Sequence, residues 1–536
     1  RLFLKKNIKM TIKTISKNDT LLFKAFAILA IALHNFFHFL KPLPACENEF
    51  TFDANSVRLF FDAFSNAPGD WLNILLSYLG HYGVQVFILI SGYGLTVSML
   101  RHRQSWLPFV VKRFSKLMPL LLLGILFLYI SEILIHSRTL GDYEWREIKY
   151  KLLMLHTLTP KSGLTVVGPW WFFALIFQLY LLFPPLFRVL QKYRWKAFTI
   201  IAALCYLFIY ADVFNPNEYN HLISVLQNAP GHLPEFMLGI MLALMKDEKV
   251  PLPLFISLVV SALTLFVLGN FYKAFFPLTF ISVSFLLYCV GMLLNQLINK
   301  VKWLNNCIAY IGSVSMVVFV INGFLRTPFI NFSYSNDTPL NRYYAALLFI
   351  LTVIALSSVG KPIYQWMVDV LSLLINKLST IKLVLKWKRC LNVVVASLFC
   401  LFGLYFIIRY STAACTDYLD FENASYSIRN DESYKQICDN TVFDKNYQGM
   451  IMTVELDGAN ASGPMPMVVY QVDDVVWVGN TITLDENNHF SNHAVVPLNF
   501  LVKGKTFHVY FYNKGGSLDV TNLKLKAEGI SSPIVD

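Results

Sequence analysis

Of the 536 residues, 56% are hydrophobic and only 15% charged, and the mean hydropathy is +0.51, whereas a soluble globular domain is roughly 25% charged. That balance excludes a soluble enzyme over most of the chain and leaves a membrane as its surroundings. The net charge of +12 sits in short loops between apolar runs, not on one basic face, so it reads as topology and excludes nucleic acid as a partner.

In chain order, Met10 reads as a translation start, and Lys5, Lys6, Lys9, Lys13 and Lys17 precede the first apolar run. That run is near spanning length and carries histidines, so it is expected to be a retained span and not a cleavable leader. Apolar length and positive-inside bias place spans near 20–40, 83–100, 117–136, 170–187, 197–213, 232–246, 252–270, 277–297, 305–325, 342–360 and 390–409. The expected fold is a polytopic α-helical membrane protein of about 11 spans, with residues 1–19 cytoplasmic. Between the last two spans, Lys361–Arg389 alternates apolar and basic residues at helical spacing. It is expected to lie along the cytoplasmic surface, with 363–389 as a linker. The span at 390–409 then carries the chain back across and places 412–536 outside.

From about residue 412 the composition turns to Asp, Asn, Gly and Thr around short alternating runs such as "GMIMTVELDG", "MPMVVYQV" and "TFHVYFYN". These predict strands of an exported β-sandwich. Cys415 and Cys438 lie in this polar tail and are the plausible disulfide, with Cys46 an alternative partner, whereas Cys205, Cys289 and Cys400 lie in apolar runs. His489, His493 and His508 fall on predicted strands or turns and read as structural, and no metal set is assigned.

Ionisable groups inside spans are costly and are functional candidates. The first span, "LLFKAFAILAIALHNFFHFLKP", carries Lys24 near one end and His34 and His38 deeper, ten and fourteen residues on. At 1.5 Å per residue the first interval is about 15 Å. His34 and His38 are one turn apart on one face, and neutral imidazole suits deprotonation of a hydroxyl near pH 7. Hydrogen bonding to neighbouring helices or interface anchoring would also explain them. Glu235 follows His232 by three, and Glu132 precedes His136 by four. Such carboxylates could orient a base, hold a sugar, or cap helix ends.

Five blocks together resemble the acyltransferase-3 family of membrane O-acyltransferases, over about Lys24 to Pro362. "FKAFAILAIALHNF" resembles its first-helix motif of basic residue and histidine. "GVQVFILISGYGLTVSML" resembles its second-helix segment, with Ser91, Gly92 and Tyr93 at the Ser-Gly-Tyr. "VKRFSKLMP" resembles its basic loop, as Arg113 and Lys116. "GPWWFFALIFQLYLLFPPL", with Trp171 and Gln178, and "HLPEFMLGIMLAL", with Glu235, resemble two further blocks. Two departures stand out. The family's spacing leads from Lys24 to Asn35, with His34 one residue early, a 100° turn on a helix. A local bulge, a different tilt or a share taken by His38 would restore the facing. Where many relatives carry a histidine after a Gly-x-x-Ser helix start, this chain has Asn322.

The resemblance implies a membrane domain over 20–362 that transfers an acyl group, acetyl above all, from cytoplasmic acyl-CoA to a hydroxyl of an envelope glycan or lipid-linked saccharide at a bacterial inner membrane. It implies donor contact at Arg113 and Lys116, whose charges suit CoA phosphates, although positive-inside topology explains basic loops too and is the better account of Arg101 and Arg103. The implied catalytic set is His34, His38 and Lys24, and the implied substrate contacts are Arg113, Lys116, Glu235, Gln178, Asn322, Ser91, Tyr93 and Trp171. Packing explains Trp171 and Gln178 as readily. Membrane lipids are the other partners. Competing readings are a polysaccharide transporter or polymerase, and a membrane-anchored glycan-binding protein.

Overall fold

The computed structural model describes residues 9–12, 14–40, 47–159, 163–214, 224–336, 338–379, 414–443, 447, 449–472, 476–485, 487–497, 504–513 and 515–531. Contacts divide the chain into a helical unit, which ends at Asn392, and a unit built mainly from Val393–Asp536.

In the helical unit, a two-stranded antiparallel ribbon pairs β1 (Lys9–Thr11) with β2 (Lys249–Pro251). The helices are α1 (Lys17–Phe37), α2 (Ser56–Asn66), α3 (Trp71–Leu79), α4 (Gly83–Arg101), α5 (Trp106–His136), α6 (Asp142–Leu152) and α7 (Trp171–Val213). They continue as α8 (Ala229–Leu244), α9 (Leu252–Phe271), α10 (Thr279–Ile298), α11 (Lys302–Ile321), α12 (Thr327–Ser333) and α13 (Pro339–Ser379). The N-terminus of α1 is set by a capping box: Ser16 Oγ accepts from the Asp19 N–H at 3.0 Å, and Asp19 Oδ2 accepts from the Ser16 N–H at 2.9 Å.

Among the described residues, eight helical stretches are long and apolar enough to cross a membrane. Eleven spans were expected, and the difference has particular sources. The predicted spans 170–187 and 197–213 both lie in α7, where two helices adjoin across a break at Arg194 (φ 51°, ψ −132°) and count as one stretch. There the Arg194 guanidinium donates to the Leu244 carbonyl at 3.0 Å, satisfying an orphan acceptor at the end of α8. The predicted sixth span is α8, only 16 residues long, and the predicted last span at 390–409 lies outside the described residues. Nor does a break follow the tenth predicted span: α13 runs through Pro362 to Ser379.

Membrane surroundings explain where the apolar surface goes. On α9 the side chains of Leu254, Ile256, Leu258, Val260, Leu263 and Val267 are exposed, an arrangement a soluble protein would not sustain. Inside, one large cluster joins residues from α1, α4, α5, α7, α8, α11 and α13. Close helix approach depends on two glycines facing each other. A Cβ on Gly92 would lie 2.2 Å from the Phe236 carbonyl oxygen, and one on Gly239 would lie 2.0 Å from that of Leu89. The glycine of the Ser-Gly-Tyr block therefore lets α4 press backbone to backbone on α8.

The second unit holds β3 (Ala414–Ile428), β4 (Tyr434–Val442), β5 (Gly449–Ser462), β6 (Met467–Val472), β7 (Val476–Thr481), β8 (His489–Pro497), β9 (Thr506–Tyr512) and β10 (Ser517–Ser531). They form two four-stranded antiparallel sheets, ordered β3-β10-β5-β8 and β4-β9-β6-β7. Alternation dictates the facing: Met450, Met452, Val454 and Leu456 of β5, and Phe507, Val509 and Phe511 of β9, are all buried in one shared cluster. Cys415 lies on β3 and Cys438 on β4, in different sheets. Their side chains, and so the expected disulfide, lie outside the described residues, as does Cys46. Cys205 and Cys289 are free thiols.

Candidate functional site

The α1 helix is α-helical throughout Lys17–Phe37, so no bulge rotates His34. Instead the departures of sequence and spacing meet in one place. His34, Asn35 and His38 all line a cavity of about 410 Å³. A Cβ on Gly80 would lie 2.7 Å from His34 Cβ and 2.6 Å from the Ala30 carbonyl oxygen. The bare glycine thus lets the turn before α4 close on α1, and the last turn of α3, just ahead of it, delivers the carbonyl of Ser77 to His34. His34 Nδ1 lies 2.9 Å from this carbonyl. A carbonyl only accepts, so Nδ1 carries the proton and Nε2 keeps the lone pair.

Further cavity walls come from Glu47, Glu49, Phe50, His81, Trp171 and Arg326. The His34 ring lies 5.3 Å from that of His38 and 5.5 Å from that of His81, centroid to centroid. His38 Nδ1 is 3.0 Å from Glu47 Oε2. Arg326 stacks its guanidinium 3.6 Å above the Phe39 ring and donates to the Asn35 carbonyl at 3.3 Å. Burial lowers the Arg326 pKa to about 10. For Glu49, burial together with the neighbouring Glu47 pushes the pKa up to about 8, so that carboxyl is largely neutral at pH 7.

Asn322 is fully buried behind this wall. Its Oδ1 accepts from Asn35 Nδ2 at 2.7 Å, and its own Nδ2 donates to the carbonyls of Val318 and Phe319. Asn322 therefore orients Asn35 and does not itself line the cavity. Glu235 is also one layer back: its Oε1 is 3.7 Å from His232 Nδ1, and the His232 ring lies tilted, 5.7 Å from that of Trp171, which does line the cavity.

The remaining candidates are placed elsewhere. Gln178 uses both ends of its amide. Its Nε2 donates to Asn228 Oδ1 at 2.8 Å and Thr157 Oγ1 at 3.2 Å, while its Oε1 accepts from the Ala229 N–H at 2.8 Å. It fastens the start of α8. The Tyr93 hydroxyl accepts from the Ile15 N–H at 2.9 Å and holds the lead-in to α1. Ser91 is half-buried on α4, away from the cavity. Glu132 contacts Arg138 at 2.7 Å, and the side chain of His136 is outside the described residues.

The second gathering is cationic. Lys24 lies within electrostatic reach of Lys116, and Lys116 of Arg113 and Lys112. The Arg113 guanidinium sits 5.2 Å from the Phe109 ring, and its buried Nε has no hydrogen-bond partner. Among the described residues, none of Lys24, Arg113 and Lys116 pairs with a carboxylate. Lys24 and His34 are ten residues apart on one unbroken helix, about 15 Å at the helical rise.

Sequence reasoning did not single out Glu47, Glu49, His81 or Arg326. His81 carried a faint signal, since it stands two residues before the Gly83 that begins the second-helix block. The other three had none.

Residues 22–359 match the model of a known family described as an acyltransferase domain, Acyl_transf_3. No curated protein and no solved structure gives a match.

Proposed function

The chain belongs to the acyltransferase-3 family, and from that premise we propose that it is a membrane O-acyltransferase that moves an acyl group, acetyl in the simplest case, from acyl-CoA to a hydroxyl of an envelope glycan or lipid-linked saccharide. The observation that carries this reading is the His34 imidazole. Its Nδ1 proton is committed to the Ser77 carbonyl, and the ring lines a cavity large enough for a sugar.

In this reaction the acceptor hydroxyl enters the cavity and gives its proton to His34 Nε2 as its oxygen attacks the thioester carbonyl. The new C–O bond forms, the C–S bond breaks, and the proton returns to the departing CoA thiolate. His38 and Glu47 border the acceptor, and Trp171 and Phe50 offer the aromatic faces that sugar rings pack on. Glu235, through His232, steadies Trp171. At the other end of α1, Arg113, Lys116 and Lys24 meet the CoA phosphates as charge-assisted donors, and the thioester arm covers the interval along α1. Ser91, Tyr93, Gln178 and Asn322 serve as positioning residues within the bundle.

This reading places the N-terminus and the cationic cluster on the cytoplasmic side of a bacterial inner membrane. The cavity then opens toward the far side, and the two sheets act as an extracytoplasmic β-sandwich that presents the acceptor. Mass spectrometry of envelope glycans from cells with and without the gene tests it: an acyl ester should vanish with the gene and return with the wild-type copy. It should not return with His34→Asn made at equal level. Ester decoration that survives deletion of the gene would defeat the proposal.

A further inference from the structure

The His34 cavity holds more nitrogen and oxygen lone pairs than one proton transfer uses. His34 Nε2 is free once Nδ1 is committed to Ser77. His38 Nδ1 and Glu47 Oε2 face each other at 3.0 Å, yet neither is aligned in a hydrogen bond. His81 is 2% exposed and lines the same cavity, and neither ring nitrogen makes a well-aligned hydrogen bond, the backbone of Tyr78 being its nearest polar partner. A buried imidazole so poorly paired is costly, and it points to a ligand in the space it faces.

We propose that this cavity binds a divalent transition-metal ion of the zinc class, held by His34, His38 and Glu47 with His81 beside them as a further nitrogen donor. One donor atom from each of the first three lies within 4.8 Å of the others. Around tetrahedral zinc with bonds of about 2.0–2.1 Å, neighbouring donors sit roughly 3.3 Å apart, so the His38–Glu47 contact already has ligand spacing. His34 closes the remaining distance least, because it is buried under the Gly80 turn. His38 and Glu47 are freer, with side chains 25% and 11% exposed. Two imidazoles and one carboxylate form a three-ligand zinc set whose fourth position falls to His81, and the chemistry selects against calcium and magnesium, which take oxygen ligands. The Ser77 carbonyl on His34 Nδ1 is the outer partner that metal-binding histidines ordinarily have. Arg326 also lines the cavity, and its stacking on Phe39 and bond to the Asn35 carbonyl engage it away from the three ligands. The single Nε2 lone pair of His34 cannot hold zinc and take the hydroxyl proton at once, so the metal-bound protein and the acyl-transferring one are alternative states, and metal binding is read apart from ester formation.

The test uses the full chain purified in detergent, stripped with a chelator that is then removed, and titrated with zinc chloride against a chromophoric chelator. One tight site per chain is expected. His38→Asn should weaken it at least 100-fold, Glu47→Gln and His81→Phe at least 10-fold, with unfolding temperatures near that of the parent. His34→Asn should abolish it, and because that buried change can disturb folding, the cavity-facing His38→Asn and Glu47→Gln variants decide the matter. His489→Ala, which removes an exposed imidazole 2.8 Å from Asp457 on the sheets, should leave the stoichiometry intact. The proposal is overturned if the wild-type protein shows no saturable zinc binding, if affinity is unchanged in His38→Asn and Glu47→Gln, or if His489→Ala removes the site.

Discussion

The two ends of the functional stretch of α1 are built on opposite principles. Around His34, polar groups already face one another: three imidazoles, two carboxyls and one guanidinium surround a single cavity. Around Lys24, positive charges from α1 and α5 crowd together with no carboxylate to balance them among the described residues. A cluster that repels itself costs free energy in the empty protein, and an anion repays it. The first end is therefore organised for chemistry before any substrate arrives, whereas the second is organised for a ligand that brings its own negative charge.

That contrast is most exposed to failure at His34. A positioned general base contributes roughly 10²–10⁴-fold, so His34→Asn should lower the turnover of glycan ester formation by about that factor. The KM for acyl-CoA, set at the far end, should move little. A comparable rise in that KM would mean the two ends are not separate. At the cationic end the split should invert. A charge-assisted hydrogen bond is worth about 1.5–3 kcal/mol, so Arg113→Gln and Lys116→Gln should each raise the KM for acyl-CoA roughly 10-fold or more while turnover is nearly kept. Initial rates over a range of acyl-CoA concentrations separate the outcomes.

Smaller effects are expected from the frame that holds the ends apart. Gly92→Ala drives a methyl against the backbone of α8, and overpacking of this kind costs about 1–3 kcal/mol. Gly94, two residues on in the same block, has nothing within 4 Å of an added Cβ. Gly94→Ala should therefore be neutral or stabilising by up to ~1 kcal/mol, the difference in helix propensity. Equal melting temperatures for the two variants would contradict the close approach of α4 and α8.

How much of this was legible in the sequence follows from how local each feature is. His34 and His38 fall on one face by spacing alone, and they share the cavity. The eclipsing of Asn35 by the family spacing was visible too, but not its resolution, in which Asn35 and His34 line the same cavity and Asn322 orients the former. Glu47 and Glu49 stand in a polar loop with no periodicity, and Arg326 lies almost three hundred residues from Asn35, so only the packing of α11 against α1 could bring that guanidinium in. Lys24 and Lys116 were read as parts of two motifs, and their mutual approach is a tertiary fact. In the sheets, alternation revealed β5 through β10, whereas β3 and β4, richer in charged and polar residues, gave no such signal. The α7 stretch read as two spans because a basic stretch interrupts its apolar run, and the backbone does break there, at Arg194, where two helices adjoin across a kink.

A further expected effect, read as a dependence on pH, concerns the loop carboxyls that line the His34 cavity. Glu49 has its pKa raised from 4.5 to about 8 by burial, with Glu47 adding to it. The folded protein therefore holds a proton there that the unfolded chain releases, and linkage ties stability to pH in that window. Below about pH 4.5 both states are protonated and burial carries no charge penalty. As pH climbs from 4.5 toward 8 the unfolded chain ionises first, and stability falls until the folded carboxyl ionises as well. Glu49→Gln keeps the shape and removes the proton, so its advantage in melting temperature over the wild type should grow between pH 5 and pH 8 and then level off. Unfolding curves in detergent, recorded for both proteins at half-unit steps, measure that difference. Parallel pH profiles would mean that Glu49 is as well solvated in the folded chain as in the unfolded one, and the pre-built end of α1 would lose its neutral carboxyl.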